Sequence, residues 1–116
     1  MQQVGTIDFP PEVLKAATGF GTGIGEARQL CGALAGAVMA IGLRQGRTDC
    51  REGRTRAYWP WGYLVSAFRE RFGTTTCAAL TARFASFEAP ERRAYCAGTI
   101  VPFCAARAQE LLEAWR

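Results

Sequence analysis

Five cysteines, Cys31, Cys50, Cys77, Cys96 and Cys104, carry most of the chemistry open to this 116-residue chain, which contains no histidine. Without imidazole there is no histidine base, haem ligand or metal ligand, so thiols, carboxylates, arginines or a borrowed cofactor must do any chemical work. The cysteine spacing matches neither a CxxC zinc pair nor a ferredoxin run. An odd count in a chain with 49% hydrophobic residues also argues against a disulfide-stapled scaffold. The chemistry left to these residues is that of the thiolate, namely nucleophilic attack, disulfide exchange or ligation of a soft metal. Cys31 follows Arg28 by one turn near a helix start, where a cation and the helix dipole can stabilise a thiolate. The competing reading is structural, because cysteine is also a common buried filler.

Cys31 lies inside the stretch GFGTGIGEARQLCGALAGAVMAIGL, residues 19–43. Its glycines do not form a dinucleotide loop, since Ile24 stands where the third glycine of GxGxxG belongs and a helix, not a strand, precedes it. No lysine is placed for a phosphate-binding P-loop. The uncharged run over residues 30–43 is too short for a bilayer, which needs roughly 20 apolar residues, so no membrane span is expected. Gly32, Gly36 and Ala40 recur every fourth residue and predict a bare helix face that another helix approaches closely.

The elements around this stretch read as helical, because period-two alternation is nearly absent and helical spacing recurs. Pro10 and Pro11 precede a short helix with Val13, Leu14 and Ala17 inward. A second helix is expected over residues 26–43, with Glu26 at its positive end and Gly46 as its stop. Pro60 suits the first turn of a third helix with Trp61, Leu64, Val65, Phe68 and Phe72 on one face. Thr74 or Thr75 caps a fourth that carries Cys77, Leu80, Phe84 and Phe87. A final helix opens at Pro90 and runs to about residue 114, kinked where Pro102 loses a hydrogen bond and presses on the Gly98 carbonyl. The fold class is therefore all-α, a single-domain bundle of four to five helices with the glycine-rich helix central.

Charge adds little. The formal net charge of +4 comes almost wholly from arginine, Lys15 being the one lysine. The segment RQGRTDCREGRTR, residues 44–56, is a solvated connector holding Cys50. The aromatic run YWPWGY after it, residues 58–63, suits core or partner contacts better than base stacking, so no nucleic-acid partner is expected. Glu88, Glu91, Glu110 and Glu113 suggest no paired acid/base site. The N-terminal MQQVGTIDFPPE has no basic region followed by an apolar core, so a cytoplasmic, reducing setting is expected.

CGALAG, preceded by ATGFGTGIG, resembles the C_GCAxxG_C_C family, whose members are described as redox-active and whose mark is a CGAxxG motif. Cys31, Gly32, Ala33 and Gly36 supply that motif. Cys77 in FRERFGTTTCAAL and Cys96 in ERRAYCAGTIV fall at the family's third and fourth cysteine positions, and the likeness runs over about residues 12–101. A related segment occurs in split-Soret cytochrome c, associated with an iron-sulfur type centre. The resemblance implies redox thiols at Cys31, Cys77 and Cys96, with Gly32, Ala33 and Gly36 packing around Cys31. It implies either thiol-disulfide exchange or an iron-sulfur cluster on the same three cysteines, with Cys50 or Cys104 completing the ligand set. Whether the protein is an enzyme stays open, and a non-catalytic helical assembly domain with structural cysteines is the alternative. A redox partner protein or a transporter-associated partner is implied. The family's first cysteine helix is expected to be missing here, leaving an apolar face that a homodimer would cover. Arg28, the threonines before Cys77, and Arg92 and Arg93 before Cys96 would set all three thiols near positive potential. Cys96 and Cys104 lie two turns apart on one helix and cannot pair, so the expected combination is Cys31 with Cys77 or Cys96.

Overall fold

A computed structural model describes residues 3–4, 7–8, 10–46 and 54–114, with side chains described for 10–46 and 58–114. The chain is an all-α bundle. It opens with a two-residue antiparallel pair, β1 (Gln3–Val4) and β2 (Ile7–Asp8), which pairs Gln3 with Asp8 and Val4 with Ile7. α1 (Pro11–Ala16) follows, with Pro11 in the first turn where its missing N–H costs nothing. Val13, Leu14 and Ala17 are half-buried.

The helix expected from residue 26 does not begin there. Thr22, Gly23, Ile24, Gly25, Glu26 and Arg28 all have positive φ, between 52° and 70°. Amides in and just after this stretch reach back six residues: Gly25 N–H to Gly19 O at 2.8 Å, Arg28 N–H to Thr22 O at 3.1 Å, Gln29 N–H to Gly23 O at 2.9 Å. Residues 22–26 thus form a left-handed turn, which glycine accepts freely and other residues accept at about 1–2 kcal/mol each. α2 (Gly32–Gln45) begins only after it, with Cys31 as its N-cap and Gly46 as its stop. Glu26 accordingly sits in the turn and not at a helix terminus.

α3 (Arg54–Phe72) begins before the expected proline, so Pro60 lies inside the helix and is fully buried. Its missing N–H leaves the Arg56 carbonyl without the usual intrahelical donor. The connector expected over residues 44–56 is correspondingly shorter, since Arg44 and Gln45 belong to α2 and residues 54–56 to α3. Residues 47–53, Cys50 among them, lie outside the described residues. The Trp61 indole N–H donates to the Val38 carbonyl at 2.9 Å and ties α3 to α2.

α4 (Cys77–Thr81) is capped by Thr76, whose hydroxyl accepts from the Ala79 amide. It is one short helix and does not reach Phe84 and Phe87 as the apolar spacing suggested. The Thr81 hydroxyl donates back to the Cys77 carbonyl at 2.8 Å, and beyond it Phe84 N–H turns to Thr81 O at 3.2 Å, a tighter bond than an α-helix makes. α5 (Pro90–Tyr95) and α6 (Val101–Ala114) are continuous through a π turn at Cys96–Ile100, where Val101 N–H reaches Cys96 O. Pro102 cannot donate to the Gly98 carbonyl, and the widened turn relieves the clash that its ring would make there.

α2, α3 and α6 enclose the core, in which Leu34, Ile41, Leu64, Phe68 and Ile100 are essentially inaccessible. Phe68, Phe72 and Phe103 add an aromatic layer, with Phe72 and Phe103 edge-to-face at 5.2 Å. The stripe of small residues plays a different part from the one expected. A side chain at Gly32 would collide with the Phe20 carbonyl, whereas Gly36 faces open space.

Ile24 is β-branched, 41% exposed and held at φ 70°. Replacing it by glycine removes about 1–2 kcal/mol of backbone strain against roughly 0.5–1 kcal/mol of added chain entropy. Ile24→Gly should therefore raise stability in urea unfolding by up to about 1 kcal/mol, where an exposed isoleucine in ordinary backbone would lose stability.

Candidate functional site

The segments leading into α2 and α4 pair with each other. Leu30 and Thr76 form an antiparallel bridge. Around it Cys31 N–H donates to Thr75 O at 2.8 Å, Cys77 N–H to Gln29 O at 2.6 Å and Ala78 N–H to Arg28 O at 3.1 Å. Cys31 and Cys77 each lie one residue from the bridge, in opposite senses, and so share a face of this short ladder. Such diagonal neighbours have Cα atoms about 7–8 Å apart, on the order of 1 Å beyond a relaxed disulfide.

The left-handed turn seats against this ladder at Gly23, which is buried at φ 69°. A Cβ there would stand 2.6 Å from Arg28 Cα and 2.7 Å from Cys77 Cβ. The π turn supplies the third side and places half-buried Cys96 opposite. Cys31, Cys77 and Cys96 consequently line one cavity of about 350 Å³ with mostly apolar walls that include Leu80, Phe87 and Ile100. Gly32 and Ala33 also line it, whereas Gly36 does not. Cys104 is buried in the core at 2% exposure, within electrostatic reach of Cys31.

Burial decides the charge state of the buried thiols. It pushes the Cys31 thiol up, against the opposing pull of the Leu34 and Ala33 amides, which lie near the sulfur without making a capping hydrogen bond. Burial also raises Cys77, as do Cys31 and Cys96 beside it, while Arg28 and Arg92 pull the other way. Cys104 is pushed up to about 12 by burial and by Cys31. The expectation of resting thiolates is thus reversed for Cys31 and Cys77, because desolvation of the charged form outweighs nearby positive charge. Arg28, expected to serve Cys31, acts instead on Cys77.

Among the described residues no group of three Cys, His, Asp or Glu side chains is placed to hold a metal ion. The three cavity thiols share a space without converging as an iron-sulfur cluster requires, and Cys104 is buried in the core. Among the described residues no helix is long and apolar enough to cross a membrane. In the aromatic run Trp61 packs inward against α2, while Tyr58, Trp59 and Tyr63 are exposed. Sequence reasoning missed Phe87 and the left-handed turn as parts of the site. Four glycines within residues 19–25 were the signal for the turn.

The fold and the cavity define a small helical protein with clustered thiols. It belongs to the C_GCAxxG_C_C family, whose model, described as "Putative redox-active protein (C_GCAxxG_C_C)", matches residues 2–111. No curated protein and no solved structure matches the chain.

Gly36 of the motif can be separated from Gly23, which seats the loop. Gly23→Ala should cost several kcal/mol and disturb the reactivity of Cys77, since it forces both a strained φ and a collision with the ladder. Gly36→Ala should be neutral or stabilising by about 0.5–1 kcal/mol, because it fills open space on a helix interior. Urea midpoints of the two variants check this contrast.

A pH dependence follows from the buried thiols. An unfolded cysteine ionises near its ordinary value of 9.0, whereas folded Cys104 keeps its proton to about 12. Its contribution to stability is complete below 9 and is lost progressively as pH rises to about 12, at roughly 1.4 kcal/mol per pH unit. Cys31 and Cys77 act in the same direction. Urea unfolding across this alkaline range should show the decline, and Cys104→Ala should flatten the slope whatever it does to the neutral-pH stability.

Proposed function

We propose that the protein is a dithiol redox protein in which Cys77 attacks and Cys31 or Cys96 is the second thiol. The observation that carries this reading is that the three family-position cysteines open on one cavity from three separate elements. Of the two most buried, Cys77 alone has arginines drawing its proton off, which favours it as the attacking sulfur. The diagonal separation of Cys31 and Cys77 suits a labile bridge more than a permanent one, because a strained disulfide reduces readily. Such a couple takes up two electrons and two protons, since Cys31 and Cys77 rest protonated. In a reducing compartment such a couple stays reduced until an oxidant arrives.

Equilibration in dithiothreitol buffers of graded potential tests the reading, with free thiols counted after acid quenching. The expected result is one two-electron transition involving two thiols, lost in Cys77→Ser and lost or shifted in Cys31→Ser and Cys96→Ser. Cys104→Ala should retain it. Anaerobically purified protein that contains stoichiometric iron and absorbs visible light would instead support the cluster alternative, and a flat titration without iron would support structural cysteines.

A further inference from the structure

Beside the thiol cavity two guanidiniums stack on Phe87, that of Arg28 at 4.2 Å and that of Arg92 at 3.8 Å from the ring centroid. Arg92 is held further by Nε donating to the Phe87 carbonyl at 2.6 Å. Arg28 is anchored through its own carbonyl, which accepts the Ala78 amide in the ladder. These residues border a polar pocket of about 360 Å³, which Glu26, Glu88 and Arg93 also line. Three arginines against two glutamates leave it net positive. Among the described residues neither Arg28 nor Arg92 forms an ion pair. Thr22, Phe87 and Arg92 line both this pocket and the thiol cavity, so the two spaces adjoin at Phe87.

We propose that Arg28 and Arg92 bind the carboxylate of a small organic disulfide and so present its sulfur to Cys77. This rests on the dithiol reading above and names its substrate class. A guanidinium fork matches a planar carboxylate, and stacking on Phe87 fixes two forks before the ligand arrives. The substrate is small because Cys77 is 9% exposed, out of reach of a disulfide on a folded partner's surface, while the adjoining spaces have the volume of a small-molecule site. The same arginines oppose the rise of the Cys77 pKa, so the groups that hold the substrate also favour the attacking sulfur.

The exchange balances as follows. The Cys77 sulfur attacks one sulfur of R–S–S–R, a mixed disulfide forms, the substrate S–S bond breaks, and the departing RS⁻ takes the proton that Cys77 gives up. The sulfur of Cys31 or Cys96 then attacks Cys77 in the mixed disulfide. The protein disulfide forms and the second RSH leaves with the second thiol's proton. Two electrons pass to the substrate and two RSH are released.

Three small disulfides that differ in charge test this: dithiodipropionate, a dianion; hydroxyethyl disulfide, neutral; and cystamine, a dication. Oxidation rates of the reduced protein are each divided by the rate for a free thiol, N-acetylcysteine amide, which removes intrinsic reactivity. The expected result is a normalised preference for dithiodipropionate over hydroxyethyl disulfide of roughly tenfold or more, the effect of one charge-assisted contact. Cystamine should be slowest, and the preference should shrink at high salt. Arg28→Gln and Arg92→Gln, made singly, should each reduce it. Should Arg92→Gln fail to fold, Arg28→Gln and the salt dependence of the natural protein still decide. Equal normalised rates, or a preference for cystamine, in a protein that titrates as a dithiol overturn the carboxylate site alone. A protein that does not titrate as a dithiol overturns the redox reading and this assignment with it.

Discussion

The short backbone ladder between residues 28–31 and 75–78 is the constraint on which the site depends. Three amide hydrogen bonds around one bridge fix where α2 and α4 begin and therefore where Cys31 and Cys77 stand. The left-handed turn is tied to it, for the turn sets the Gly23 backbone against Cys77 and leads into residue 28, where the pairing begins. The strain held by Thr22, Ile24 and Glu26 sits at the edge of the site, where the surrounding hydrogen bonds over-determine it.

The second governing effect is desolvation. An apolar cavity favours the protonated forms of Cys31 and Cys77, at Cys77 against the pull of Arg28 and Arg92, so neither thiol is a ready nucleophile at rest. Neighbouring thiols strengthen this, because ionising one opposes ionising the next. Chemistry in such a site is conditional on what enters it, and Arg28 and Arg92, stacked on Phe87, stand beside it.

Much of the fold was legible in sequence because it follows from apolar spacing and proline. The final helix opens at Pro90 and ends at Ala114 as read, α2 stops before Gly46, and the core faces of α3 are those that periodicity picked out. What was not legible came from long-range pairing. Nothing local says that Gln29 and Cys77 share a hydrogen bond, so residues 26–31 read as a helix start. Phe84 and Phe87 fell at helical spacing beyond Cys77, yet the Thr81 back-bond and tight turn end α4 first and free Phe87 to hold two arginines. The family pattern picks out Cys31, Cys77 and Cys96. That they open on one cavity required the tertiary structure, because they come from three elements far apart in sequence.

On the proposed reading these three cysteines form one exchangeable set and Cys104 stands outside it. Peptide mass spectrometry of protein oxidised under mild conditions, with free thiols blocked before digestion, tests this most directly. The expected product is a disulfide joining two of Cys31, Cys77 and Cys96, with Cys104 recovered as a blocked thiol only after unfolding. Recovery of all three as free thiols, or a bridge that includes Cys104, would contradict it.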